Sequence, residues 1–275
     1  GDETPVLVDL KPSGDHYMEN FHDAGGMTTL LRELKPLLKL DAMTVSGRTL
    51  GEEIDAAPPS FKQDVVRPFD KPIYPRGSIA VLHGNLAPGG AIIKQSAANE
   101  KLMEHEGRAV VFENAADLAN RIDSPDLDVT ADDILVLKNI GPKGAPGMPE
   151  AGYIPIPMKL ARAGVKDIVR ISDGRMSGTA FGTIVLHVTP ESAIGGPLAQ
   201  VRNGDRIRLS VQKREISLLI SDEELAKRMK DNPITSPTAE RGYKKLFLDT
   251  VTQADQGVDF DFLRAAKMVG KTPRK

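Results

Sequence analysis

Two glycine-rich stretches hold the residues whose types and spacing could do chemistry. "SDGRMSGTAFGT", Ser172–Thr183, sets two serines, two threonines and three glycines around the pair Arg175–Met176. Ser177, Gly178 and Thr179 could present hydroxyls and backbone N–H groups to an anion, and Arg175 could grip a carboxylate with two parallel hydrogen bonds. A serine held near a cation can also act as a base, because a Lewis acid lowers the cost of its alkoxide. The alternative is a turn whose hydroxyls cap backbone groups, and residue types alone leave the two level. "GPKGAPGMPE", Gly141–Glu150, could cradle a phosphate through backbone N–H groups. It lacks the Gly-Lys-Ser/Thr ending of a P-loop, and a structured surface loop is an equally good reading. Glu150 closes this stretch either as a ligand for a hard cation or as a favourable charge in a first helical turn. The bare residues favour the second.

Other candidates are weaker. His83 and Lys94 flank the glycines of "VLHGNLAPGGAIIK", and Lys11, Ser13, His16 and Glu19 follow an apolar run near the N-terminus. The five histidines, at 16, 22, 83, 105 and 187, show no zinc spacing. There is no Gly-x-Ser-x-Gly elbow, no His-Glu-x-x-His and no dinucleotide fingerprint at a strand–helix junction. The chain has no cysteine, which excludes disulfides, a thiolate nucleophile, thiolate zinc and any iron–sulfur cluster held by its own residues. A net charge of −2 and 4% aromatic residues argue against nucleic acid as a partner. No apolar run approaches the ~20 residues of a membrane span. "GDETPVLVDL" has neither the basic nor the apolar region of a signal peptide, so a cytoplasmic location is expected.

These stretches must be held by something, and 275 residues, 40% of them hydrophobic, suffice for a substantial core. "HYMENFHDAGGMTTLLRELKPLLKL" reads as helix, broken at Gly25–Gly26. "SFKQDVVRPFDKPIYP" reads as an extended connector running over the surface. Beyond it come short apolar runs: "SIAVLHGN", "RAVVFEN", "DILVLKN", "KDIVRIS", "GTIVLHVTP", "DRIRLSV" and "EISLLIS", the last two spaced as a hairpin. "VLHGNLAPGGAIIK" reads as a strand followed by a glycine-rich loop. "AADLANRI", "YIPIPMKLARAG" and "SDEELAKRMK" are helical patterns, the last with a capping box of Ser221 and Glu224, and the tail reads as two helices separated near Gly257. The pattern predicts an α/β chain, with a helical segment and connector at 1–77 packed on a mixed closed β-barrel with peripheral helices at 78–275.

Taken together, "DLKPSG", "LDAMTVSGRTLGE", "VLHGNLAPGGAIIKQSAA", "GPKGAPGMPE", "SDGRMSGTAFGTIVLHVTPESAIGGPLA", "VRNGDRI" and "QADQGVDFDFL" resemble the C-terminal half of the dihydroxy-acid and sugar-acid dehydratases. They cover nearly the whole chain in the family's order. Met176 and Thr179 make the serine-bearing stretch more similar to the aldonic-acid branch, arabinonate- or xylonate-type, than to the branched-chain amino-acid enzyme. The resemblance implies a swivelling mixed barrel and a hydro-lyase that converts a 2,3-dihydroxy sugar acid to a 2-keto-3-deoxy acid. It implies an iron–sulfur cluster acting on the C3 hydroxyl, Mg²⁺ at the carboxylate end, and a serine alkoxide that removes the C2 proton. Ser177 matches the base and Glu150 a Mg²⁺ ligand, Gly178 and Thr179 would lie beside the substrate carboxylate, and Arg175 would order the loop.

The family's cluster cysteines and its other acidic Mg²⁺ ligands lie in an N-terminal half that this sequence does not include. The chain alone is therefore expected to be inactive, its cluster held by another domain or chain and the full enzyme a homo-oligomer. Its start close to "DLKPSG" suggests a cut near the interdomain boundary. Two further readings stand beside this one: a small subunit that completes the site in trans, and a non-catalytic binding module. The alternative substrate is the dihydroxy acid of branched-chain amino-acid synthesis.

Overall fold

The computed structural model describes residues 1–59 and 61–264. The chain divides into two compact units, Gly1–Ala80 with Lys94–Ala97, and Val81–Ile93 with the chain from Ala98 onward.

In the first unit the leucine-rich stretch forms α1 (Met18–Asp23) and α2 (Gly26–Glu33), separated where Gly25 turns left-handed at φ +93°. A third helix, α3 (Leu50–Ala56), is capped reciprocally: Thr49 Oγ1 accepts from Glu52 N at 3.3 Å, and Glu52 Oε2 accepts from Thr49 N at 2.7 Å. The proline-rich segment differs from the expected surface connector. Val65 and Val66 are buried against Phe21 and Ala24, and bridges join Val8 to Val66 and Val6 to Tyr74. Prolines interrupt a ladder without preventing an apolar pair between them from reaching a core.

Eight strands close into a mixed barrel with helices around it, as expected: β1 (Ile79–Gly84), β2 (Ala87–Lys94), β3 (Glu104–Phe112), β4 (Ile134–Leu137), β5 (Val169–Ser172), β6 (Ile184–Thr189), β7 (Arg206–Ser210) and β8 (Glu215–Leu218). Their order around the ring is β1-β2-β6-β5-β4-β3-β7-β8. β7 and β8 form the expected antiparallel hairpin, and β1 closes the ring in parallel with β8. The glycines after "VLHGN", expected as a loop, lie instead within β2. A Cβ at Gly89 would come within 3.0 Å of the Thr189 side chain on β6, so the missing side chain is what lets the two strands approach.

Strands β3, β4, β5 and β6 run parallel, and their buried residues explain why. Val110, Phe112, Leu135 and Leu137 pack outward with Leu118 of α4 (Ala115–Arg121) and with Ile122. Period-two alternation sends Ala109, Val111, Ile134 and Val136 to the other face, into the barrel, and these are buried too. Each buried Val, Leu, Ile or Phe among them contributes about 1.5–3 kcal/mol by leaving water. Strands buried on both faces read as continuous apolar runs, which is how these appear in the sequence.

Three helical expectations need correction. "YIPIPMKLARAG" yields only α5 (Met158–Arg162), because Pro155 and Pro157 exclude helix before it. In α6 (Asp222–Asp231) Ser221 Oγ caps Glu224 N at 3.2 Å, but the Glu224 carboxylate turns to Arg228 at 2.8 Å, so the box is half made. The tail gives α7 (Gly242–Thr250) and single 3₁₀ turns at Ala254–Gln256 and Asp261–Leu263. The last part of the second expected tail helix, residues 265–269, lies outside the described residues. Among the described residues no helix is long and apolar enough to cross a membrane.

Parallel pairing has one consequence for function. The carboxyl ends of β4, β5 and β6 lie at the same end of the barrel, so the connections that leave them start side by side. In parallel sheets that end is where ligands bind.

Candidate active site

The connection after β4 carries Glu150, and the connection after β5 carries Arg175, Ser177, Gly178 and Thr179. Arg175 joins the two. Its Nε donates to the Met148 carbonyl at 2.6 Å, and its Nη1 stands 3.3 Å from Glu150 Oε1. The Gly152 N–H donates to the Arg175 carbonyl at 2.7 Å, a second stitch between the same loops. The helix-charge reading of Glu150 does not hold, since residues 151–157 are irregular and α5 starts only at Met158. The Glu150 side chain is 47% exposed.

Ser177 is half-buried. Its Oγ lies 2.9 Å from Thr179 Oγ1 and accepts weakly from Thr179 N at 3.4 Å, while its carbonyl accepts from Ala180 N at 3.0 Å. The turn and the hydroxyl pair therefore coexist: backbone groups are capped, and one serine oxygen is left with a hydroxyl as its closest partner.

Beneath these loops lies a polar framework that residue types did not single out. Arg170 of β5 is 1% exposed and pairs with Asp167 at 2.7 Å. Its Nη1 also donates to the Tyr153 and Ile154 carbonyls at 3.1 Å each, just beyond the Glu150 loop. Asp167 in turn accepts from Thr183 N and Thr183 Oγ1, at the far end of the Ser177 loop. Asp173, at the end of β5, accepts from Ile140 N at 2.9 Å and Ser192 N at 2.8 Å. Glu191, just past β6, accepts from Lys143 N, from Gly144 N at 2.9 Å and from Gln253 Nε2 at 2.6 Å. Burial pushes both carboxyls above their ordinary values, partly offset by these donors, and the Asp173 charge raises Glu191 further. The available signal was a set of charged residues beside or inside apolar strand runs, as in "VKDIVRIS" and "LHVTPES".

His187 belongs to the same neighbourhood. Between Gly90↔Thr189 and Ile92↔Leu186 the register shifts by one residue, so β6 carries a bulge. His187 occupies it at φ +54°, and its N–H leaves the ladder to donate to the Gly174 carbonyl at 3.0 Å. Burial chiefly, and the charge of Arg175 secondarily, lower its pKa below 6.5. Its side chain lines a cavity of about 490 Å³ with Gly89, Gly90, Thr189 and Asp255. Asn139 (+58°), Met148 (+47°) and Ile154 (+45°) are also left-handed. Such conformations are costly for residues with a Cβ, and here they border the loops just described.

The residues present do not fit the implied inorganic groups as complete sites. With no cysteine in the chain, no cluster ligand of the usual kind is available. Among the described residues no three His, Asp or Glu side chains converge to enclose a cation. Glu150 supplies one hard oxygen donor, which suits Mg²⁺ in kind but not in number.

Residues 64–258 match the family described as dihydroxy-acid/6-phosphogluconate dehydratase C-terminal, and residues 1–53 match its N-terminal counterpart. An L-arabonate dehydratase of Azospirillum brasilense is 49% identical over 272 residues, covering 96% of this chain and 46% of the relative. A 6-deoxy-6-sulfo-D-gluconate dehydratase of Pseudomonas putida is 46% identical over 272 residues, 98% of this chain and 47% of the relative. A dihydroxy-acid dehydratase of Dehalococcoides mccartyi is 40% identical over 259 residues, 94% of this chain and 46% of the relative. The chain spans about half the length of the curated relatives it matches. It belongs to the dihydroxy-acid/6-phosphogluconate dehydratase family.

Proposed function

We propose that this chain supplies the proton-abstracting base and one carboxylate ligand of a hydro-lyase that dehydrates a 2,3-dihydroxy sugar acid to a 2-keto-3-deoxy acid. The observation that carries the reading is the pairing of the two loops at the carboxyl ends of β4 and β5, with Arg175 bonded to both Met148 and Glu150. A sugar acid is favoured over a branched dihydroxy acid because the two relatives named for sugar acids are 49% and 46% identical, against 40% for the dihydroxy-acid enzyme.

In this reading Ser177 Oγ takes the C2 proton of the substrate. The Thr179 hydroxyl at 2.9 Å donates to that oxygen and stabilises it as an alkoxide. Gly178 and Thr179 border the substrate carboxylate, Glu150 offers its carboxylate to Mg²⁺, and Arg175 orders the loop rather than the substrate. A C2–H beside a carboxylate is a poor acid, so positive charge must offset what develops there. An iron–sulfur cluster and the rest of a cation shell would be held by residues outside this chain. The chain in isolation is accordingly inactive.

The test is to purify the native polypeptide that carries this sequence, anaerobically, and to measure its iron, its oligomeric mass and its formation of 2-keto acids. The panel would hold several aldonates and a branched 2,3-dihydroxy acid. Turnover of an aldonate that disappears in Ser177→Ala supports the reading. Turnover that survives Ser177→Ala removes the serine base, and turnover by residues 1–275 alone removes the dependence on other residues.

A further inference from the structure

Glu191 and Asp173 are 0% and 1% exposed, and among the described residues neither pairs with a Lys, Arg or His side chain. A buried carboxylate without a cation is costly, and apolar replacements of buried charges are often neutral or stabilising. Their partners show what offsets the cost here. Asp173 takes the N–H of Ile140, in the connection after β4, and the N–H of Ser192, past β6. Glu191 takes the N–H groups of Lys143 and Gly144 and the Gln253 amide, while its own N–H donates to Gln253 Oε1 at 3.0 Å. Only an ionised carboxylate offers two oxygens and no competing donor to several converging N–H groups. Gly141 makes the approach possible, since a Cβ there would stand 2.7 Å from Glu191 Oε2. The loop that ends in Glu150 is thus held at its near end by Glu191 and at its far end by Arg175 on Met148.

We infer that Glu191 and Asp173 are positioning residues: through backbone N–H groups they lock the ends of β4, β5 and β6 into the one arrangement that sets Glu150 and Ser177 against a common substrate. This rests on the assignment of Glu150 and Ser177 to the reaction proposed above. Neither carboxylate touches substrate. The role is one of register, and it uses charge rather than bulk.

The experiment is residue-resolved amide hydrogen exchange on the native polypeptide, read beside its turnover, for Glu191→Gln and Asp173→Asn. Both substitutions keep the volume and remove the ionised acceptor. The amides of Lys143 and Gly144 in Glu191→Gln, and of Ile140 and Ser192 in Asp173→Asn, should exchange at least about tenfold faster, while the amides of β4 and β6 keep their protection. In the native polypeptide kcat should fall about tenfold or more with KM changed less, because orientation is lost rather than ground-state binding. A residue that only fills space would be fully replaced by Gln. Wild-type exchange at Lys143 and Gly144, or wild-type kcat, in Glu191→Gln overturns the inference. Should that variant fail to fold, Gln253→Ala removes a single partner of Glu191 and must loosen the same two amides. Turnover that survives Ser177→Ala and Glu150→Gln sinks the functional reading instead, and leaves the exchange result to judge the clamp.

Discussion

Arg170 Nη2 and Asp167 Oδ1 stand 2.7 Å apart, in an ion pair whose side chains are 1% and 9% exposed. The same two residues reach Tyr153 and Ile154 on one side and Thr183 on the other, so one pair underlies both loops of the candidate site. Removing one partner of a buried pair leaves an uncompensated charge and costs roughly 3–5 kcal/mol. Arg170→Met should lose about that much in urea unfolding. A double variant that also carries Asp167→Asn should lose less than the sum of the two single changes. Additive losses would mean that the pair does not act as a unit.

Gly182 and Gly178 make a matched comparison within one loop. Gly182 has φ +119°, and a Cβ there would overlap the Arg170 guanidinium, whereas a Cβ at Gly178 meets no atom within 4 Å. Gly182→Ala should destabilise by more than about 1 kcal/mol, and Gly178→Ala should stay within roughly 0.5 kcal/mol, as surface changes do. Thermal or urea unfolding of the two variants decides it. If Gly178 borders the substrate, its variant should still lose turnover in the native polypeptide.

Asp173 gives stability a sign in pH. Burial raises its pKa above 3.8, so between 3.8 and that raised value the folded state holds a proton that the unfolded state has lost. Stability from this group falls as pH climbs through the window and is flat above it. Glu191 contributes in the same sense above 4.5. Groups common to wild type and Asp173→Asn largely cancel in their difference. The stability of wild type minus that of the variant, from urea unfolding at several pH values, should therefore decline as pH rises. A rising difference would contradict the assigned burial.

His187 should titrate below 6.5 when followed by NMR of its ring protons, because burial disfavours the imidazolium and Arg175 adds to that. Arg175→Gln should raise the midpoint without restoring the ordinary value, since burial is the larger cause. A full return would make the charge of Arg175 the dominant influence, and no movement would separate the two residues.

In the native polypeptide Ser177→Ala should lower kcat by roughly 10²–10⁴-fold, the usual loss when a general base is removed. Glu150→Gln should also lower turnover. Neither should shift the unfolding midpoint much, as Glu150 is exposed and Ser177 half-buried. A variant that loses activity together with its fold would point to a structural role instead.

Much of this architecture was legible in the residues. Runs such as "DILVLKN" and "GTIVLHVTP" announce strands buried on both faces, and Ser221 marks the start of α6. The order of motifs pointed to the family. What stayed hidden depends on contacts distant along the chain. β2 looked like a loop because its glycines are needed only where Thr189 of β6 presses on them. Asp173 and Glu191 stand out only as charges beside apolar runs, and their roles stayed hidden because their partners come from residues 19 to 62 positions away. The paired valines at 65 and 66 lie in a proline-rich stretch that reads as a surface connector, yet they are buried against Phe21 and Ala24.

A ring of eight strands also settles how the barrel can associate. Each strand has hydrogen-bonding neighbours on both sides, so the barrel offers no unpaired edge to template strand addition, domain swapping or fibril growth. Any polypeptide that docks on it must do so through side chains and loops. An interface of that kind can come apart and re-form without unravelling the sheet.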